Sequence, residues 1–450
     1  MNLFNASLWS LSRRLRSSAP ALRGLSCGLL CFAFVSASFA EPISRHRVIV
    51  STDIGGTDFD DFQSMVHLLL YADVLEIEGL VSSPYGPGRK EHILSVIDHY
   101  EADYGNLRTW SDRYPTPDSL RAITKQGELE MAPYAGYRKP TEGSKWIVAC
   151  ARREDSRPLH ILVWGGLEDV AQALHDAPEI LPQLKIHYIG GPNKKWSPDA
   201  YHYLATQFPS LWMIESNSTY RGWFVGGAQQ GDLSAHSFAA IHADGHGALG
   251  NFFARGISFE SAIRSEVKMG DTPTVGWLLQ GDPNMPFQGG WGGRFVRAWT
   301  RPYSHFDRLT TAEDEIEFCS IMELELPLGP DCPKTPQLRM EVENQSLLGH
   351  LPGDGTVRFR FCPKSAKTFS YKIVGDAPSL NGKEGKVTAV PALPEQALRP
   401  DSHWPNWWTD DPSPAAAVAE HQGARTVSQW REAFMRDFAQ RLDRCRSPKR

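Results

Sequence analysis

Outside its first forty residues the chain has no apolar run long enough to span a bilayer, which excludes a later membrane-crossing helix. It has no surplus of basic charge. Against 52 Asp and Glu stand 47 Lys and Arg, giving a net charge of -5 and a pI near 6.3, so the footprint of a protein that grips a nucleic-acid backbone is missing. There is no CxxC pair, and no His/Cys spacing of the kind that holds zinc. Internal repeats and low-complexity tracts are absent as well, which excludes solenoids and arrays. Beyond residue 40 there are only five cysteines, Cys150, Cys319, Cys332, Cys362 and Cys445. An odd count leaves at least one unpaired, while pairing among the last four would staple the C-terminal region in an exported protein.

What is present reads as a globular protein with ample core: 41% hydrophobic and 22% charged residues over 450 positions, enough for two or three domains. Arg13, Arg14, Arg16 and Arg23 precede an apolar run from Gly24 to Phe39, and Ser38 and Ala40 offer small residues at a cleavage site. Residues 1–40 are therefore expected to be a signal peptide, with the mature protein secreted or periplasmic. Fourteen Trp is high for this length. Core packing and sugar stacking are both open uses for such rings.

The most informative stretch is residues 47–65. A β-branched run, Val48 to Val50, ends in a turn holding Asp53, Gly55, Gly56, Asp58, Asp60 and Asp61, and a helical pattern opens at Phe62 with Met65, Leu68 and Leu69 on its apolar face. Crowded carboxylates repel one another unless a cation sits among them. Hard oxygen donors in that number suit Ca²⁺ better than Zn²⁺. The alternative is a helix start in which Asp60 and Asp61 favour the positive end of the dipole. Strand, polar loop and helix then recur: Leu75 to Val81, Leu159 to Trp164, Leu184 to Ile189 and Leu211 to Ile214 read as strands alternating with helices. That order implies an α/β fold, a mostly parallel sheet with helices on both faces and ligands at the carboxyl ends of the strands.

The acidic stretch resembles the N-terminal signature of the nucleoside hydrolases, Asp-x-Asp-x-Gly-x-Asp-Asp, in the form seen in a secreted branch that includes cellulose-binding bacterial proteins. Asp53 matches the second acidic position and Asp60-Asp61 the closing pair; Ser51 replaces the first, and the loop is three residues longer. Gly165-Gly166-Leu167-Glu168-Asp169-Val170-Ala171 resembles the family turn that offers a backbone carbonyl to calcium, which assigns that role to Glu168. Asn193 and Asp199 resemble the residues that hold the sugar hydroxyls; a loop cap and a helix-entry residue are the alternative. Asp271, in Lys268-Met269-Gly270-Asp271-Thr272-Pro273, resembles the Asp that completes the calcium shell, and Gly270 stands where the family has a His. His236, His242 and His246 lie just upstream as substitutes or as structural residues. Gly289 to Phe295 forms a glycine-lined loop in which Trp291 is a candidate sugar platform.

From about Glu325 the pattern changes to prolines and then alternating runs, Leu338 to Glu343, Val357 to Cys362 and Phe369 to Val374. The expected organisation is a nucleoside hydrolase-like α/β domain over 41–324 and a small β subdomain over 325–400. A Trp-rich segment and an amphipathic helix, Thr426 to Arg444, then pack back on the α/β domain over 401–450. Trp404, Trp407 and Trp408 form either a plug against that domain or a stacking platform.

The resemblance implies calcium-dependent hydrolysis of N-glycosidic bonds in nucleosides or related ribosides. Asp53 is its general base, Asp60, Asp61, Asp271 and Glu168 hold Ca²⁺, and Asn193, Asp199 and Trp291 meet the substrate. The alternative is a carbohydrate-binding protein, with a cellulose-like polysaccharide as ligand and a degenerate site. Either way the partner is a nucleoside or sugar, with no nucleic acid and no membrane span, and a homo-oligomer is compatible with both.

Overall fold

The computed structural model describes residues 45–446 apart from 57–58, 85, 256–266 and 301–302. The expected signal peptide and Asp58 lie outside the described residues. Among those described, no helix is long and apolar enough to cross a membrane.

Sixteen strands follow in order among the described residues. The first seven are β1 (His46–Thr52), β2 (Leu75–Ser82), β3 (Thr124–Gln126), β4 (Leu159–Val163), β5 (Leu184–Ile189), β6 (Trp212–Ser216) and β7 (Phe295–Arg297). Then come β8 (Tyr303–Phe306), β9 (Glu315–Glu317), β10 (Ile321–Pro327), β11 (Leu338–Val342), β12 (Gln345–Leu348), β13 (Thr356–Phe361), β14 (Thr368–Gly375), β15 (Glu384–Val390) and β16 (Trp407–Asp410). The main sheet runs β3-β2-β1-β4-β5-β6-β16-β7. Its pairs are parallel except β16 with β7.

Both faces of this sheet are covered, as a parallel sheet requires. The period of two in β1 sends Val48 and Val50 into one core and Ile49 into the other. The first core packs under helices Asp60–Leu70, Lys90–Arg108, Gly247–Arg255 and Thr272–Leu279; the second packs under Glu142–Ala151, Glu168–Asp176 and Pro198–Gln207. A third core, with Met322, Phe359 and Ile373, lies between a three-stranded sheet, β13-β10-β8, and a five-stranded one, β12-β11-β14-β15-β9.

Two features of the C-terminal stretch differ from the periodicity reading. The helix expected over 426–444 is two pieces, Arg425–Ser428 and Arg431–Asp443, with Phe434, Phe438 and Leu442 of the second buried in the first core. The Trp-rich segment is a strand of the main sheet. Trp407 is fully buried, and the Trp404 indole N–H donates to the Ala205 carbonyl at 2.9 Å. All five cysteines are free thiols, so no disulfide staples the C-terminal region. Cys319 and Cys362 lie side by side within hydrogen-bonding contact.

Candidate active site

The strand order puts the turns after β1, β4, β5 and β6 at one edge of the sheet, the carboxyl edge where α/β ligands bind. A cleft of about 350 Å³ opens there. Its floor holds Asp53, Asp60, Asp61, Asn193 and Asp271, five of the eight residues expected at a site.

Asp61 is fixed by Thr52, the last residue of β1, whose hydroxyl donates to Asp61 Oδ1 and accepts the Ile54 N–H at 3.1 Å. Asp60 stands beside it in the first turn of its helix, where the dipole favours negative charge. Asp271 comes from more than two hundred residues downstream, and one glutamine brings it in. Gln63 Oε1, on the same helix as Asp60 and Asp61, accepts the N–H groups of Lys268 at 2.9 Å and Met269 at 3.2 Å. Met269 turns there with φ 51°, a conformation costly for a side chain of its shape and held by these contacts. A second tether comes from Trp164, the residue after β4. The Trp164 indole donates to Thr274 Oγ1 at 2.7 Å, and that hydroxyl donates to the Asp271 carbonyl at 2.8 Å.

Two glycines make the close approach feasible. A Cβ on Gly165 would lie 2.8 Å from both the Cβ and the N of Asp53. One on Gly270 would lie 2.3 Å from Asp60 Oδ2. The absent His at 270 is thus a steric condition for Asp60 to stand where it does.

Asp60, Asp61 and Asp271 each offer an oxygen, and these three atoms lie within 4.8 Å of one another. The Lys268 ammonium lies 3.3 Å from Asp60 Oδ2, half-exposed. Three carboxylates with one ammonium beside them make a net negative cluster of hard oxygens, a donor set that fits a divalent cation such as Ca²⁺. A second acidic group, His305, Glu323 and Glu325, is differently neutralised: Arg360 donates to Glu323 at 2.8 Å and Arg358 to Glu325 at 2.8 Å. A larger depression of about 680 Å³ on the five-stranded sheet is more open to solvent, and no such carboxylate trio lies in it among the described residues.

The side chains of three expected residues are not among those lining the cleft, although the role expected of Glu168 belongs to its backbone carbonyl. Glu168 begins its helix with a fully buried carboxyl that accepts the Ser197 hydroxyl at 2.9 Å and the Ala132 N–H at 3.3 Å, and burial pushes it up to about 8. From the same turn it is Trp164 that reaches the cleft. The Asp199 carboxylate is engaged by Arg360 at 3.0 Å, on the side of the helix that faces β13. Trp291 packs on the first core beside Phe434, with ring centroids 6.4 Å apart. His236, His242 and His246 are also not among the cleft residues; His242 faces Asp232 at 2.9 Å and His246 lies 3.3 Å from Asp443.

Other residues complete the walls without a signal in local sequence. Trp164, Trp196 and Tyr220 supply rings, and Arg221, Lys268 and Lys364 supply cations. Asn344 and Lys364 belong to the C-terminal β region, brought over by Lys195, which bonds Asn344 Oδ1 at 2.7 Å and Glu343 at 2.9 Å.

With this geometry in view, similarity to known proteins is decisive. Residues 47–295 match the family described as cellulose-binding Sde182, nucleoside hydrolase-like domain. The chain belongs to this family. The match runs from the second residue of β1 to the first residue of β7 and contains every floor residue of the cleft. Among solved structures, a nucleoside hydrolase-related protein from Saccharophagus degradans, associated with carbohydrate metabolism, shares 18% identity at a TM-score of 0.47, covering 78% of this chain and 100% of its own. A plant nucleoside hydrolase shares 15% identity at a TM-score of 0.33, covering 57% of this chain and 83% of its own. The inosine-uridine preferring nucleoside hydrolase from Bacillus anthracis shares 16% at a TM-score of 0.33, covering 56% and 85% respectively. Among curated proteins none matches the sequence.

Proposed function

We propose that this nucleoside hydrolase-like protein is an exported, calcium-dependent hydrolase of N-glycosidic bonds in nucleosides or related ribosides. The observation that carries this reading is the convergence of Asp60, Asp61 and Asp271, from opposite ends of the α/β region, on one small volume that Asp53 also borders. Asp60, Asp61 and Asp271 would hold the ion. Bound calcium supplies an anchor for vicinal hydroxyls and acidity for a coordinated water.

The chain's own groups do the rest. Asp53 accepts the proton of the attacking water as general base. Asn193 uses its Nδ2 hydrogens on the carbonyls of Trp164 at 2.9 Å and Ile189 at 3.0 Å, which leaves Oδ1 to accept from a sugar hydroxyl. Trp196 and Tyr220 form apolar walls suited to a sugar or base face.

The test is release of free sugar from a panel of nucleosides, with and without a chelator. Asp53→Asn should lower turnover by roughly 10²–10⁴-fold, the usual worth of a positioned base, while calcium affinity is retained. No sugar release from any nucleoside overturns the hydrolase reading.

Lys268 favours a second reading. Its ammonium beside Asp60 partly does the work of a metal, as in a site that binds carbohydrate without turning it over. Calcium-independent binding to cellulose, with no turnover, selects it.

A further inference from the structure

The cleft has an acidic floor and a basic mouth, and the mouth is not balanced by acids. Arg221 sits in the turn Thr219–Trp223 after β6, and Lys364 three residues past the end of β13, so two distant parts of the fold deliver them to one cleft. Neither forms an ion pair or donates a side-chain hydrogen bond among the described residues. The Arg221 guanidinium only lies over the Tyr220 ring at 5.3 Å. Partial burial and then Lys195, Lys367 and Arg221 lower the affinity of Lys364 for a proton, while Glu343 opposes them. Glu343 is already shared by Lys195 at 2.9 Å and Lys367 at 2.7 Å. Glu343 is thus engaged by two other cations, and neither Arg221 nor Lys364 has a carboxylate within ion-pair distance among the described residues. Two like charges held at a pocket mouth lower the cost of an anion entering it.

We propose that Arg221 and Lys364 form an oxyanion-binding subsite, so that this cleft prefers a sugar or riboside carrying a carboxylate or phosphate group to its neutral counterpart. A guanidinium offers a paired N–H fork to either group, and the ammonium adds a third donor. The neutral part of the sugar would then lie inward, towards Asn193 and the acidic floor. This assignment rests on the cleft being the ligand site, as the preceding reading holds, but it does not depend on turnover.

The experiment is calorimetric titration of the full chain, in the presence of calcium, with four probes: ribose, ribose 5-phosphate, glucose and glucuronate. At least one charged sugar should bind about tenfold or more tightly than its neutral counterpart, the worth of one well-formed charged contact. Preference for ribose 5-phosphate alone assigns a phosphate, and preference for glucuronate alone a carboxylate. That preference should shrink with added salt, because the mouth is solvent-facing. It should vanish in Arg221→Met/Lys364→Met and persist in part in Arg221→Lys, with thermal melting used to verify that each variant is folded. Equal affinities for charged and neutral sugars, binding of none of the four, or a preference that survives the double substitution would overturn the proposal. Failure of the hydrolase assay with the charge preference intact removes the catalytic reading and leaves the subsite standing.

Discussion

After β1 the chain turns through Gly55 and Gly56 and starts a helix with Asp60 and Asp61; after β4 it turns through Gly165 and Gly166 and starts a helix with Glu168 and Asp169. In sequence these are the same device. In the fold they have opposite fates. The first pair faces a cleft, joined there by Asp271 and Lys268. The second pair is enclosed, and donors close around it. Thr141 and the Glu128 N–H bond Asp169 at 2.5 and 3.0 Å, while Ser197 and the Ala132 N–H bond Glu168. Burial then raises Asp169 to about 6 and Glu168 to about 8. An acidic pair at a helix start therefore does not identify a ligand site. What decides is whether a distant segment adds more negative charge or adds hydroxyls and amides.

The sharpest way to break this comparison is to disable the first turn alone. Asp61→Asn should lower calcium affinity by at least about 100-fold and abolish any calcium-dependent turnover, whereas Glu168→Gln should leave both unchanged. Titration of the two variants side by side checks it; equal losses would show that the turns act together. A smaller effect is expected from the tether. Gln63→Ala removes the acceptor that holds Lys268 and Met269, so Asp271 loses its position while all three carboxylates remain. Calcium affinity should fall roughly 10–100-fold with the fold intact by circular dichroism.

The smallest effect belongs to the enclosed turn. Glu168 has its folded pKa raised from 4.5 to about 8, so between those values the native state binds more protons than the unfolded chain. Stability from this group is complete below about pH 4.5 and is lost as pH rises through 8. Melting temperature should accordingly decline between pH 5 and pH 9, and Glu168→Gln should flatten that decline by roughly 2 °C or more. An unchanged slope in the variant would mean that the carboxyl is not buried as described.

The parallel sheet was legible because its strands are apolar runs that stop at glycine turns, and the core has no other use for such runs. The acidic loop after β1 was legible for a related reason, since Asp53, Asp60 and Asp61 follow a strand end or open a helix, whereas Asp271 was assigned only through the resemblance to the nucleoside hydrolases. The exceptions share a cause. Asp199 stands in the first turn of a helix and Trp291 in a glycine-lined loop, but Arg360, from a strand of the C-terminal region, engages the first, and Phe434, from the last helix, packs against the second. β16 was hidden because four residues rich in Trp carry no period, and its place between β6 and β7 is set by pairing across nearly two hundred positions. Arg221 and Lys364 gave no local sign, since each is an ordinary surface cation until the fold brings the two together.

The central claim is that Asp271 and the acid pair after β1 make one divalent-cation site. Calorimetric titration of calcium into the wild-type chain and into Asp271→Asn tests it most directly. One ion should bind per wild-type chain, and affinity should fall by at least about tenfold in the variant with no change in melting temperature of the ion-free protein. Absence of binding in the wild type, or equal affinity in the two proteins, would contradict it.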